Sequence, residues 1–388
     1  MSEPSLPSQH ILFVAPFGLG QKTTVWARTL PLARELVRRG HRAHILIPPW
    51  DTPADAGRTW QEEGVTLENV SLRGGIPSTV LRMITRIDAL APDIVHIVKP
   101  RAHAGLVQWR LWHRRRRPPL VLDLDDWEQA WAAVNDYGPV TARFLARQEE
   151  WGIRHADAIT AASRWLEARA QEYSPTTPVT YLPNGVTLPP RPPALRADPQ
   201  PPAVLFFSRF VEVEPEWTAK FWRAVAEMAP AAHLIVAGQP VQPGLDERLM
   251  LIMGEYAGTE GVAWLGFVEP DQLAALYDRT TVAVFPAAPV PLQQAKCSVR
   301  LATTLLNGIP VVASAVGEQA QYGASGAARL VDAQATPEEF ARVTVNFLED
   351  RAARSHAIVQ AYAHLSQNYQ WHDLADRLEA CYAGIGSS

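Results

Sequence analysis

The stretch VAVFPAAPVPLQQAKCSVRLATTLLNGIPVVASAVGE, from Val282 to Glu318, contains a complete strand–helix–strand unit. Its first five residues, ending at Pro286, are typical of a buried strand. An apolar run over 299–306 ends at Asn307-Gly308, and glycine directly after such a run is typical of a helix C-terminus. Ile309–Ala313 predicts a second buried strand, so the stretch is one βαβ unit.

The loop before this helix carries two cations, Lys296 and Arg300, and a third, Arg209, follows the predicted strand Val204–Phe207. Ligands of open α/β sheets bind outside the carboxyl ends of strands, near helix N-termini. These cations therefore predict a diphosphate site. Surface salt bridging is the structural alternative for all three.

Length and composition fit an intracellular enzyme of two domains. The 388 residues allow two domains of roughly 100–200 residues each. A hydrophobic fraction of 47% and a charged fraction of 20% are ordinary, and a net charge of −4 requires any basic site to be local. Two cysteines exclude a disulfide framework and a cysteine-rich zinc site. Because neither a signal pattern nor an apolar run of about 18 residues is present, we expect a cytoplasmic protein without a membrane span.

The chain opens with a second unit of the same kind, a strand, a helix and a strand over 11–15, 24–39 and 44–47. Gly18 and Gly20 lie in the turn before the helix, and Thr23 is its predicted N-cap. A dinucleotide fingerprint would need a third glycine at position 23, and a P-loop would need glycine directly before Lys22. Neither site is predicted here; a plain structural turn and a backbone that faces a ligand both remain open.

Alternating strands and helices continue to the middle of the chain, with strands predicted at 65–72, 93–98 and 120–124. Short strands of valine, isoleucine and leucine indicate a parallel sheet that is covered on both faces. His103 follows the second of these strands, and Asp125 and Asp126 follow the third. The triplet from Asp123 to Asp125 also resembles a metal ligand pair, but such triplets are common by chance, and we predict no metal.

Residues 101–117 hold six arginines and no acid, with Trp109 and Trp112 interleaved before the run Arg114–Arg117. Tryptophans three residues apart beside basic residues suit a helix on an anionic membrane, which would place the protein peripherally on its inner face. A nucleic-acid patch has a similar pattern, although we expect no nucleic-acid partner. A solvated helix end whose tryptophans pack inward is the third interpretation.

A proline-rich segment divides the chain. Positions 189–202 hold seven prolines in 14 residues, which is incompatible with a helix or a central strand and indicates a stiff connection. The predicted division is 1–188, the linker 189–202, a second domain over 203–364 and a C-terminal helix over 365–388. That helix is amphipathic, with Trp371, Leu374 and Leu378 in one stripe.

Several of these segments carry a family resemblance. Phe285-Pro286, the turn and strand from Gly308 to Ser314, and the following Gly317 resemble the retaining GT-B glycosyltransferases of family 4. The segments 156–163 and 183–186 resemble the end of their N-terminal domain, so the resemblance extends over nearly the whole chain. It implies two Rossmann-like domains that face each other across a cleft, with the last helix crossing back onto the first domain. It also implies transfer of a sugar from a nucleotide-diphosphate sugar, with retention and without a cofactor.

The resemblance also implies roles for individual residues. Arg209, Lys296 and Arg300 would stabilise the charge that develops on the leaving diphosphate. The donor-binding positions would be the backbone at Gly18, Gly20, Gly266, Phe267 and Val268, together with Thr303 and Thr304. Asp125, Asp126 and His103 are candidates to help deprotonate an acceptor, which would be a glycan or a lipid-linked molecule.

One departure from the family pattern affects donor recognition. The family has two glutamates eight positions apart, and the matching positions here are Ala295 and Thr303. We therefore expect diphosphate affinity to persist while discrimination among sugars falls. Two alternatives stay open: a catalytically silent GT-B protein that acts as a binding or assembly partner, and a nucleotide-sugar epimerase.

Overall fold

The structure, a computed structural model, describes residues 7–20, 24–258 and 260–385, so the predicted N-cap at Thr23 lies outside the described residues. By its contacts the chain forms two compact units. The first comprises the described residues of Met1–Gly185, Ala295–Cys297 and Trp371–Ser388. The second comprises Val186–Gln294, again without the masked position, and Ser298–Gln370.

The first unit is built on an eight-stranded sheet. Its strands are β1 (His10–Val14), β2 (Arg42–Ile47), β3 (Thr59–Glu62), β4 (Val65–Asn69), β5 (Ile94–Val98), β6 (Leu120–Leu124), β7 (Ala158–Ala161) and β8 (Val179–Tyr181). The spatial order is β3-β4-β2-β1-β5-β6-β7-β8, and every pairing is parallel except that of β3 with β4. The predicted parallel sheet is therefore confirmed. The short antiparallel β3 was not predicted, because its alternating polar residues make it an exposed edge strand.

Helices cover this sheet. They are α1 (Leu30–Arg38), α2 (Gly75–Leu90), α3 (Ala102–Trp112), α4 (Glu128–Val134), α5 (Pro139–Arg154) and α6 (Arg164–Tyr173). The helix predicted over 24–39 begins instead with a π-helical turn, Val25–Thr29, that runs directly into α1. Ser163 is the N-cap of α6, since its hydroxyl accepts the Leu166 N–H at 3.1 Å.

The second unit is built on a six-stranded sheet in which every pairing is parallel. Its strands are β9 (Ala203–Phe207), β10 (His233–Ala237), β11 (Val262–Gly266), β12 (Val282–Phe285), β13 (Val311–Ser314) and β14 (Arg329–Val331). Its helices are α7 (Pro215–Met228), α8 (Leu245–Tyr256), α9 (Leu273–Asp278), α10 (Pro291–Ala295), α11 (Arg300–Leu306), α12 (Gly317–Tyr322), α13 (Pro337–Glu349) and α14 (Arg351–Asn368). The quoted βαβ unit is β12, α11 and β13; α10 is an additional short helix in what was predicted as loop.

The last helix, α15 (Trp371–Ile385), packs on the sheet of the first unit, as predicted. Leu374, Leu378 and Tyr382 are buried in the same core as the strands β1 and β2. The amphipathic stripe read from the sequence is therefore the buried face of this helix. Among the described helices, none combines the length and the apolar composition that are needed to cross a membrane.

The sheet orders determine where ligands can bind. In the first unit the chain leaves β1 for β2 on one side and later places β5 on the other, so the order reverses between β1 and β5. In the second unit it reverses in the same way between β9 and β12. Open α/β sheets bind ligands at the carboxyl ends of such strands. The loops after β1, β5, β9 and β12 are therefore the candidate sites.

Candidate active site

In the second unit the loop after β9 is organised by Glu212. The Glu212 carboxylate accepts the Ser208 hydroxyl at 2.7 Å and the backbone N–H groups of Arg209 and Val211, both at 3.1 Å. The loop is thus folded tightly around one carboxylate, and it holds Arg209 in an exposed position directly after the strand. Glu212 was not among the residues predicted from the sequence.

Arg300, the first residue of α11, reaches the same carboxylate. Its Nη2 lies 2.7 Å from Glu212 Oε1, its Nη1 donates to the Phe207 carbonyl oxygen at 3.1 Å, and its Nε lies 3.5 Å from the Ser298 hydroxyl. A guanidinium has five N–H donors, so these contacts orient the group and leave donors for a ligand. The Arg209 backbone N–H and the Arg300 guanidinium therefore share the Glu212 carboxylate at the point where the strand order reverses.

Two glycines shape the carboxyl ends of β10 and β11. Gly266 lies at the open end of β11, and Gly238 allows β10 to approach the loop after β9. Gly266 adopts a positive φ of 64°, and Phe267 beside it is more than half exposed. At Gly238 an added Cβ would lie 1.8 Å from the Ser208 carbonyl oxygen, and φ is 131°. Only glycine fits there. Gly266, Phe267 and the half-exposed Val268 are thus accessible to a ligand, as their predicted role requires.

The two positions that lack the family carboxylates differ in their surroundings. Ala295 is buried at the end of α10, whereas Thr303 is partly exposed on α11. Thr304 is fully buried, and its hydroxyl donates to the Arg300 carbonyl oxygen at 2.8 Å and lies 3.3 Å from the Tyr277 hydroxyl. Thr304 therefore supports the start of α11 from inside the unit, and a role for it in donor binding stays a prediction.

In the first unit a buried charge cluster lies at the carboxyl ends of β5 and β6. The Lys99 ammonium is 3.0 Å from Asp125 Oδ1, 3.0 Å from Asp126 Oδ2 and 3.5 Å from Glu128 Oε1. Lys99 has a φ of 61°, a left-handed conformation that a lysine adopts only under strain. Glu128 in turn pairs with Arg101. The carboxylates of Asp125, Asp126 and Glu128 thus share the Lys99 ammonium as a counter-ion.

The protonation states in this cluster follow from burial. Burial raises the pKa of the Asp125 carboxyl, against the opposing charge of Lys99. Burial and the charge of Glu128 raise the pKa of Glu149, which accepts the Glu128 backbone N–H at 2.7 Å, to about 8. Burial lowers the pKa of His103, the second residue of α3, so its imidazole is neutral at neutral pH. Among the described residues its Nδ1 has no hydrogen-bond partner.

A second buried ion pair lies beside this cluster. Arg28 binds Asp123 through two hydrogen bonds of 2.7 and 2.6 Å, and its Nη1 donates to the Asn184 side-chain oxygen at 3.1 Å. Asn184 also donates to the Cys297 carbonyl oxygen at 2.7 Å. This chain of contacts places 295–297 in the first unit. Lys296 therefore belongs to the first unit, where its ammonium lies 5.9 Å from the centre of the Trp131 ring.

The glycines of the first loop are held by the loop after β2. The Gly18 N–H donates to Asp51 Oδ1 at 2.5 Å, and an added Cβ at Gly18 would lie 2.4 Å from the Thr52 hydroxyl. At Gly20 an added Cβ would lie 3.1 Å from a Thr52 methyl group. The immediate reason for glycine at both positions is this close loop contact, so a role in donor binding stays a prediction.

Two family domains match the chain in the same order as its two units. Residues 23–185 match the glycosyl transferase 4-like domain, and residues 201–350 match the glycosyl transferases group 1 domain. The chain belongs to the group 1 glycosyltransferases. A comparison with curated protein sequences found no match.

Solved structures show the fold of this glycosyltransferase to be GT-B. Sucrose-phosphate synthase from Thermosynechococcus elongatus is 17% identical with a TM-score of 0.74, covering 98% of this chain and 99% of its own. HepE from Anabaena, solved in complex with UDP and glucose, is 16% identical with a TM-score of 0.67, covering 97% and 99%. A UDP-forming trehalose-phosphate synthase from Burkholderia xenovorans is 12% identical with a TM-score of 0.70, covering 98% and 100%.

The predicted site residues of the glycosyltransferase thus form two groups. In the second unit the Arg209 backbone and the Arg300 guanidinium share Glu212, and in the first unit Asp125 and Asp126 share Lys99. These groups are completed by Glu212, Lys99 and Glu128. The sequence analysis missed these three residues, because their partners are known only once the strands are placed side by side. A carboxylate three to five residues after a strand end was the one available signal, and it applies to Glu212 and Glu128 alike.

Proposed function

We propose that this glycosyltransferase moves a sugar from a nucleotide-diphosphate sugar to an acceptor hydroxyl, with retention at the anomeric carbon. The observation that carries the proposal is Arg300, oriented by Glu212 beside the exposed Arg209 at the carboxyl end of β9. HepE was solved in complex with UDP and glucose, and the similar trehalose-phosphate synthase is UDP-forming, so uridine diphosphate sugars are the donors to test first.

In the proposed reaction the bond between C1 and the β-phosphate oxygen breaks, and a bond from C1 to the acceptor oxygen forms. The bonding electrons leave with the diphosphate, so negative charge grows on its oxygens. Fixed guanidinium groups that face these oxygens lower the energy of that state. Arg209 and Arg300 would supply this stabilisation, and Lys296 stays a predicted third cation from its place four residues before Arg300.

The acceptor proton needs a base. We propose retention without a protein nucleophile, because Ala295 and Thr303 offer no carboxylate to attack C1. The departing phosphate oxygen can take the proton, as can a group in the first unit. There the neutral His103 imidazole and the carboxylate of Asp126, the more exposed of the two aspartates, are the proposed aids.

Donor discrimination is expected to be broad. Ala295 can neither donate nor accept a hydrogen bond through its side chain, and Thr303 carries one hydroxyl where the family has a carboxylate. Specificity rests largely on such polar contacts, since an unpaired buried group is costly. We therefore expect several UDP-sugars to bind with affinities close to that of UDP itself. A strong preference for one sugar would contradict this part of the proposal.

The test is sugar transfer from a panel of nucleotide sugars, first with water and then with polyol, glycan and lipid-linked acceptors, followed by NMR of the product anomer. Transfer with retention, lost in Arg300→Ala and kept in Arg342→Ala, supports the proposal. Arg342 is a suitable control because it is an exposed arginine on α13 of the same unit. Binding of UDP without any turnover would favour the silent alternative, and a changed sugar in the absence of acceptor would favour the epimerase.

We further propose that the enzyme acts in the cytoplasm, at the inner face of a membrane. The support is the exposed basic segment after Trp109 on the first unit.

A further inference from the structure

An apolar groove lies between α2 and α3 on the first unit. Its volume is about 390 Å³, and its lining includes Ile76, Val80 and Leu81 on α2, Trp109 on α3, and the arginines Arg110 and Arg114. Three of these apolar side chains are widely exposed: Leu81 at 66%, Ile76 at 54% and Trp109 at 49%. A contiguous apolar surface with an arginine rim marks an interaction site more often than scattered exposed side chains do.

A second groove, wholly different in charge, adjoins the first. It has a volume of about 920 Å³ and is lined in part by the four consecutive arginines Arg114–Arg117. Arg114 borders both grooves, so the apolar and the cationic surfaces are continuous. Arg114 pairs with Asp88 and Arg117 with Asp157. Arg115 and Arg116 are exposed, and neither forms an ion pair with a carboxylate in the described part of the chain.

The structure changes which residues carry the apolar side of this surface. Trp112 is only partly exposed: the Arg117 guanidinium lies 4.3 Å from its ring centre, and the His155 ring meets it edge-on at 5.4 Å. It therefore packs against the unit rather than facing outward. Leu81 and Ile76 on α2, which the sequence pattern of α3 did not indicate, take its place beside Trp109.

We infer that this face is a membrane-docking surface, in which the α2–α3 groove receives acyl chains and the adjoining arginines bind anionic lipid headgroups. A lipid has the same arrangement, an anionic head next to an apolar tail. Nucleic acid is a poorer fit because aliphatic Ile76 and Leu81 dominate the groove, whereas single strands need aromatic stacking platforms. The inference rests on the proposed place of action and is independent of donor chemistry in the second unit.

The experiment is sedimentation of the full chain with vesicles of phosphatidylcholine alone and with vesicles that also contain phosphatidylglycerol, at low and high salt. Binding to the anionic vesicles only, weakening as salt rises, is expected. Arg115→Ala/Arg116→Ala should weaken partitioning about 25-fold, since each arginine near such a surface contributes about fivefold. Leu81→Ser should weaken it about tenfold at either salt concentration, because it removes buried apolar contact.

Matched variants on the second unit serve as controls. Lys220→Ala/Arg342→Ala removes the same charge from exposed helix positions, and Leu251→Ser alters a side chain that is 65% exposed. Both should bind vesicles as the unaltered chain does. UDP binding should be unchanged in the docking variants, so a failure of donor binding would be seen separately. Equal sedimentation with both vesicle types, none with either, or capture of a labelled RNA in place of vesicles would overturn the inference.

Discussion

Replacing Lys99 by methionine tests the buried charge cluster of the first unit. Methionine keeps the length and the apolar stem of lysine, and the strained φ is equally unfavourable for both residues. The change leaves Asp125, Asp126 and Glu128 without their shared cation; their side chains are 8%, 22% and 2% exposed. Removing one partner of a buried ion pair costs about 3–5 kcal/mol, and the partial exposure of Asp126 favours the lower value.

Calorimetry of the full chain measures this loss as a shift in the unfolding temperature of the first unit. A loss of that size corresponds to a fall of about 6–20 °C. Because the charge of Lys99 lowers the pKa of Asp125, its removal raises that folded-state pKa further. A carboxyl whose pKa is higher in the folded than in the unfolded protein makes the protein less stable as pH rises between the two pKa values. The loss of stability in Lys99→Met should therefore become smaller as the pH is lowered.

Two controls sharpen this prediction. Lys220→Met alters an exposed lysine on α7 and should leave the unfolding temperature within about 1–2 °C. Lys99→Met/Asp125→Asn removes one of the carboxylates that have lost their cation, and it should recover part of the lost stability. A Lys99→Met protein that is destabilised by less than about 1 kcal/mol, or equally at all pH values, would refute the reasoning.

Three further substitutions test Glu149 in the first unit and Gly238 and Glu212 in the second. Burial raises the pKa of Glu149 from 4.5 to about 8, so between these pH values the folded chain keeps a proton that the unfolded chain loses, and stability falls as pH rises. Glu149→Gln should therefore flatten the dependence of the unfolding temperature on pH in this range. An unchanged slope would contradict this prediction. Gly238→Ala places a Cβ against the Ser208 carbonyl at a left-handed φ and should lower the free energy of unfolding of the second unit by about 3 kcal/mol or more. Unfolding of the second unit measures this loss, and a loss below about 1 kcal/mol would contradict the prediction. Glu212→Ala removes the shared acceptor of Arg300 and the loop and should cost about 2–3 kcal/mol; equal unfolding temperatures would show that the loop is held by other contacts.

The fold could be predicted because it depends on patterns that are local in sequence. Runs of valine, isoleucine and leucine of strand length, separated by helical periodicity, require a parallel sheet with helices on both faces. Helix ends were also local, as at Gly308. The additional helix α10 was missed because it is one and a half turns long and lies in a segment rich in proline, where periodicity gives no signal.

The site could be predicted only in part. Arg209, Asp125 and Asp126 could be proposed from the sequence because cations and carboxylates directly after strands lie at the edge of the sheet where ligands bind. Arg300 could be proposed because it lies at the start of α11, the helix of the βαβ unit that begins with β12. Glu212 was missed because its partner Arg300 lies 88 residues away, and no local pattern pairs them. The same holds for Lys99 and the carboxylates that follow the next strand.

The most direct test of the central claim is titration calorimetry of UDP into the unaltered chain and into Arg300→Ala, with Arg342→Ala as the control. Charge-assisted hydrogen bonds are worth about 1.5–3 kcal/mol, so Arg300→Ala should weaken UDP binding by roughly 10- to 150-fold. Arg342→Ala should bind as the unaltered chain does. An unchanged dissociation constant in a folded Arg300→Ala protein would contradict the assignment of the diphosphate site.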